Sequence, residues 1–177
     1  MPLRLQPRAS IAAACAISAV LLCFAACPAA DPCARYGVVH ASGARDHVAT
    51  CGDPACGNGL DPPNAGPHCG ITAACQVFSS PQPPCEWIHN LEHGHVVLAY
   101  NCPSGCPEIV AGLQQVWTEA ASPKRILVTP DPAMGHAVAA IVWGTSWSGD
   151  QLDLDAIRCV AALQDVDAPE PGLPCQQ

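Results

Sequence analysis

Positive charge is scarce in this chain: 7 Lys+Arg stand against 15 Asp+Glu among 177 residues, a formal net charge of -8 at pH 7. Phosphate backbones are held by clustered cations, so nucleic-acid binding is excluded. Charged residues make up only 12% of the chain, and no charge run exceeds two residues. There is accordingly no acidic or basic tail, and no internal repeat is visible. No cysteine pair shows C-x-x-C spacing, which removes zinc-ribbon chemistry. Ser104, Ser146 and Ser148 lack a nucleophile-elbow context, so serine hydrolase chemistry has no support. No apolar run reaches the ~20 residues of a membrane-spanning helix.

Apolar residues, by contrast, fill half the chain, enough for a core and against intrinsic disorder. The length suits one domain. Thirteen cysteines point to an oxidising compartment and a disulfide framework.

Residues 1–26 read as an export signal. Arg4 and Arg8 precede an almost unbroken apolar run of 16 residues, Ile11 to Ala26, too short to span and suited to a signal-peptide core. Ala25-Ala26-Cys27 resembles a lipobox, with Phe24 where Leu is usual. Lipidation of Cys27 would anchor the mature protein to a membrane at the periplasmic or cell-surface side; the alternative is cleavage near Ala30 and free secretion. Either route leaves ten cysteines, enough for five disulfides.

Residues 27–50 are expected to form a tether and a first strand near Tyr36 to His40, and 51–177 a single disulfide-stapled domain. From 51 to 85, Cys51, Cys56, Cys69, Cys75 and Cys85 lie among prolines, which resist regular structure. Beyond this loop-rich stretch, His95 to Tyr100, Arg125 to Val128 and Ala137 to Trp143 read as strands. Pro107 to about Ala120 and Leu154 to Leu163 carry apolar residues at helical spacing. The expectation is an α+β fold: a single small sheet, two packed helices and a disulfide-rich, Pro-rich loop region.

The densest chemical cluster is Trp87-Ile88-His89-Asn90-Leu91-Glu92-His93-Gly94-His95. On a helical turn His89 and His93 face one side, as two metal ligands must. Glu92 would be a further ligand or would orient a ring. His68, held between Pro67 and Cys69, is the expected third imidazole, while His95 is the weakest ligand candidate. Copper or zinc suits such donors. Histidines bracing a turn in an extracytoplasmic interaction module are the alternative, and the sequence names no protein partner. His89 to His93 also fits H-x-x-E-H, but that peptidase pattern needs a long helix, and Gly94 and a strand follow at once. Cys102-Pro103-Ser104-Gly105-Cys106 separates a strand from a helix. A structural disulfide is the favoured reading there, and a thiol oxidoreductase pair the other.

Pro62 to His68, the block Trp87 to Tyr100 and Ala140-Ile141-Val142-Trp143-Gly144 resemble a family of uncharacterised bacterial domains with PPxSGPH, HNLEHG and AWG motifs. The resemblance implies a secreted or membrane-anchored domain and places His68, His89, Glu92 and His93 at motif positions. Ala65 replaces the usual Ser, and Val142 interrupts the last motif. The family supplies no activity.

Overall fold

A computed structural model describes residues 30–121 and 124–176; the expected signal segment and Cys27 lie outside them. The chain folds as α+β around a five-stranded sheet in the order β1-β7-β6-β4-β5. Its strands are β1 (Val39–His40), β4 (Val96–Tyr100), β5 (Ile126–Pro130), β6 (Val138–Val142) and β7 (Thr145–Gly149). A second sheet pairs β2 (His47–Val48) with β3 (His68–Cys69) in parallel. The helices are α1 (Pro84–Glu92), α2 (Pro107–Glu119) and α3 (Leu154–Ala161).

The central strands read as unbroken apolar runs because both their faces are covered. Val96 and Leu98 point to one side, where they meet Leu113 and Val116 of α2 and Ile157 and Val160 of α3. Val97 and Ala99 point to the other, into a core with Trp87, Ile88 and Leu91 of α1. Each fully buried Leu or Ile contributes about 1.5–3 kcal/mol. Pro107 opens α2 at a position where its missing N–H costs nothing. In α3 the Asp153 carboxylate accepts from the Asp155 and Ala156 backbone N–H groups at 3.1 and 3.0 Å, a side-chain cap.

Among the described residues three α-helices form where two were expected. The additional one is α1, whose start lies inside the proline run: Pro84 occupies a helix-opening position, so a residue that reads as a breaker starts the helix. Strand β7, Thr-Ser-Trp-Ser-Gly, has no apolar alternation to announce it; it pairs with β6 across Trp143-Gly144. The segment expected as a strand from Tyr36 divides into a 3-10 turn at Ala34–Tyr36 and β1 at Val39–His40. Residues 33–48 are fastened to the fold through β1–β7 pairing, β2–β3 pairing and the Cys33–Cys159 bond.

All ten described cysteines are paired, Cys33–Cys159, Cys51–Cys69, Cys56–Cys85, Cys75–Cys175 and Cys102–Cys106. This indicates an oxidising, extracytoplasmic environment. No helix among the described residues is long and apolar enough to cross a membrane.

Candidate metal centre

Helix α1 has two chemically distinct faces. Trp87, Ile88 and Leu91 are fully buried against the sheet. His89, Glu92 and His93, spaced i, i+3 and i+4, share another face, which packs on β3. There β3 presents His68, and the β2–β3 register sets His47 directly beside it. The Cys51–Cys69 bond fixes that two-residue pairing, too short to persist alone.

His68 is fully buried, and its Nδ1 lies 2.9 Å from the Gly66 carbonyl. A carbonyl only accepts, so Nδ1 carries a hydrogen, and Nε2 is the ring atom that faces the site. That Nε2 is 2.9 Å from Glu92 Oε2, itself 4.0 Å from His47 Nε2. The rings of His68 and His89 are 4.8 Å apart, and His47 lies 4.8 and 5.0 Å from them. One donor atom from each of His47, His68, His89 and Glu92 falls within 4.8 Å of the others, a group that can hold a metal ion. Bonds of ~2.0–2.2 Å to zinc set donors ~3–4 Å apart, so an ion would draw this group together by about an ångström.

The group is closed below and open above: His68 and Glu92 are 0% and 6% exposed at the side chain, His47 55%. A surface cleft of about 460 Å³ leads down past Arg45, His47 and Glu170 to Glu92. His89 is buried, and its Nδ1 has no hydrogen-bond partner. Burial, reinforced by His93, His68 and His47, lowers its pKa to about 4, so the ring is neutral at pH 7 and its lone pair free. Burial also holds His93 below the usual histidine range, against the pull of Glu170 and Glu92.

Of the residues expected to form the site, the structure brings His68, His89 and Glu92 into one group. His93 stands at its rim. Its ring is 4.4 Å from that of His89, but its Nε2 faces Glu170 Oε2 at 3.5 Å, in a second group with Glu92. Two members have no signal in the sequence. His47 is isolated there and arrives through the parallel β2–β3 pairing. Glu170 lies in the Pro-rich tail, whose N–H at that residue donates to the Glu92 carbonyl at 2.9 Å. His95 is committed elsewhere: Nε2 donates to the Leu173 carbonyl at 2.8 Å, and Nδ1 accepts from Asn90 Nδ2 at 3.0 Å. Cys102 and Cys106 belong to the other face of the sheet, beside the α2–α3 core.

The three segments carrying the family resemblance meet here. Gly66, at φ 120, sits so close to the Gly57 backbone that a Cβ would collide with it; this fixes the carbonyl that orients His68. Asn90 clamps Ala73, accepting from its N–H and donating to its carbonyl, both at 2.8 Å. Gly94, at φ 78, turns the chain from α1 toward β4 where a Cβ would collide with Asp165 Oδ1. Trp143 meets the His68 ring edge-on at 6.2 Å. No curated protein and no solved structure matches the chain. Residues 51–177 match a family model described as a protein of unknown function, DUF3105, and the chain belongs to that family.

Proposed function

We propose that this domain binds a divalent transition-metal ion, zinc or copper, through His47, His68, His89 and Glu92, with His93 and Glu170 at the entrance. The observation carrying this reading is the His68–Glu92 contact. With Nδ1–H committed to Gly66, Nε2 lies 2.9 Å from a carboxylate oxygen. Two acceptors at that distance repel unless a cation lies between them. A proton would satisfy the pair alone, but His47 and His89 crowd the same point with further donors. Imidazole and carboxylate donors without thiolate favour Zn²⁺ or Cu²⁺ over Cu⁺. The exposed His47 side gives the ion a route in and out without opening the core. Such a site suits reversible uptake of metal at the outside of the cell membrane.

Export by residues 1–26 and lipidation at Cys27 belong to the same reading, supported by the Arg4/Arg8 apolar segment. The membrane is then a partner through the anchor. Intact-mass analysis of membrane-extracted protein is expected to show an acylated N-terminal Cys27; a soluble chain beginning near Asp31 would remove the anchor and leave export. For the metal, elemental analysis and calorimetric titration of the mature domain are expected to give one ion per chain, lost in a His68→Ala, His89→Ala double variant. Binding weaker than millimolar for both ions would leave an interaction module with structural histidines.

A further inference from the structure

We infer that Cys102–Cys106 is a thiol–disulfide exchange site, separate from the metal centre. Four of the five disulfides join residues 126, 18, 29 and 100 positions apart, whereas this one spans only 4. Cross-linking stabilises a fold mainly by closing loops of the unfolded chain, so this bond contributes least as a staple. Its ends are already held by β4 and α2.

Position supports a reactive role. The pair lies between the buried strand β4 and helix α2, and α2 leads to β5, parallel to β4. That strand–dithiol–helix–strand unit is the context of thioredoxin-like redox motifs. Cys106 is the N-cap of α2, with no side-chain hydrogen bond closing that end. Both cysteines are half-buried, and Pro103, Ser104 and Gly105 between them are exposed. The loop before β6 runs alongside: the Asn101 N–H donates to the Ala137 carbonyl at 3.0 Å, and Asn101 Nδ2 to that of Met134 at 2.6 Å.

The chemistry follows from the cap. A thiolate of a substrate protein dithiol attacks Cys102 Sγ; the Cys102–Cys106 bond breaks and Cys106 leaves as a thiolate, stabilised by the N–H groups at the start of α2. The substrate's second thiolate then attacks its own sulfur in the mixed disulfide. The substrate is oxidised to a disulfide, two electrons reside on Cys102 and Cys106, and Cys102 leaves as thiolate and takes up a proton. The reverse sequence reduces a substrate disulfide.

The test titrates the whole mature protein with dithiothreitol, alkylates free thiols and maps them by mass. Cys102 and Cys106 should be labelled at ~10-fold less reductant than any other pair, with far-UV circular dichroism unchanged. Reduced wild type mixed with oxidised glutathione should return to the intramolecular disulfide, whereas Cys106→Ser should retain glutathione on Cys102. A Cys102→Ala, Cys106→Ala double variant should fold and respond to metal as wild type does. Reduction of this pair only together with the others, or a Cys106→Ser protein that takes up no glutathione while folded, would overturn the assignment.

Discussion

Glu92→Gln separates a metal ligand from a structural carboxylate, because the two roles predict opposite outcomes. In the metal-free protein the introduced amide can keep a hydrogen bond with His68 Nε2, 2.9 Å from the present carboxylate oxygen. A neutral hydrogen bond of this kind contributes about 0.5–1.5 kcal/mol. Metal-free stability is therefore expected to stay within about 1 kcal/mol of wild type. The metal response should change sharply. Above its dissociation constant, a ligand that binds only the folded state adds about 1.4 kcal/mol per decade of concentration. In a domain of this size that raises Tm by about 3–6 °C per decade. Removing the carboxylate charge should move the onset of this rise upward by at least ~10-fold. The assay is thermal unfolding over four decades of free Zn²⁺, repeated with Cu²⁺. A flat wild-type Tm would remove the metal reading. A Glu92→Gln protein whose Tm begins to rise at the wild-type metal concentration would show that Glu92 is not a ligand.

Three further outcomes follow from other parts of the fold. Replacing Cys33 and Cys159 by alanine opens the longest loop, with a sequence separation of 126, and should cost about 4–5 kcal/mol in denaturant unfolding; a loss no greater than that for Cys51 and Cys69 would contradict the loop-closure argument. Burial lowers the His95 pKa from 6.5 to about 4. Between those values the unfolded chain binds the proton that the folded chain refuses, so stability should fall from about pH 6.5 down to pH 4, by up to ~3 kcal/mol. Urea midpoints for His95→Gln should be flatter over that range, and an unchanged slope would contradict the account. Gly94→Ala forces a left-handed residue to carry a Cβ into Asp165, and calorimetry should show a loss of about 2 kcal/mol or more.

Much of the main sheet was legible because its strands are short apolar runs bounded by Gly and Pro, as at His95 to Tyr100 and Ala137 to Trp143. Helices α2 and α3 were legible through the spacing of Ile109, Leu113 and Val116 and of Ile157 and Val160. What escaped lacks a period. Strand β7 carries polar residues although Thr145 and Ser146 are buried, because their hydroxyls are hydrogen-bonded, to His40 Nδ1 at 2.9 Å and from Asn64 Nδ2 at 3.2 Å. Helix α1 was hidden behind the proline that starts it, so the HNLEHG block read as a turn although it is the last part of a buried helix.

The candidate site was half legible for a related reason. His89, Glu92 and His93 lie within five positions of one another, and local spacing alone sets them on one face. His68 could be joined to them only by supposing that the cross-linked loop folds back. His47 could not be joined at all, since a two-residue parallel pairing leaves no pattern in a sequence. That pairing is held by Cys51–Cys69, and the tail carrying Glu170 by Cys75–Cys175 together with the Arg125–Asp165 ion pair at 2.7 Å. The disulfides thus do more than stabilise the domain. They fix in place the three site residues that neither helix α1 nor the main sheet positions, His47, His68 and Glu170, so loss of Cys51–Cys69 should weaken metal binding through His47 and His68 even where the core remains folded.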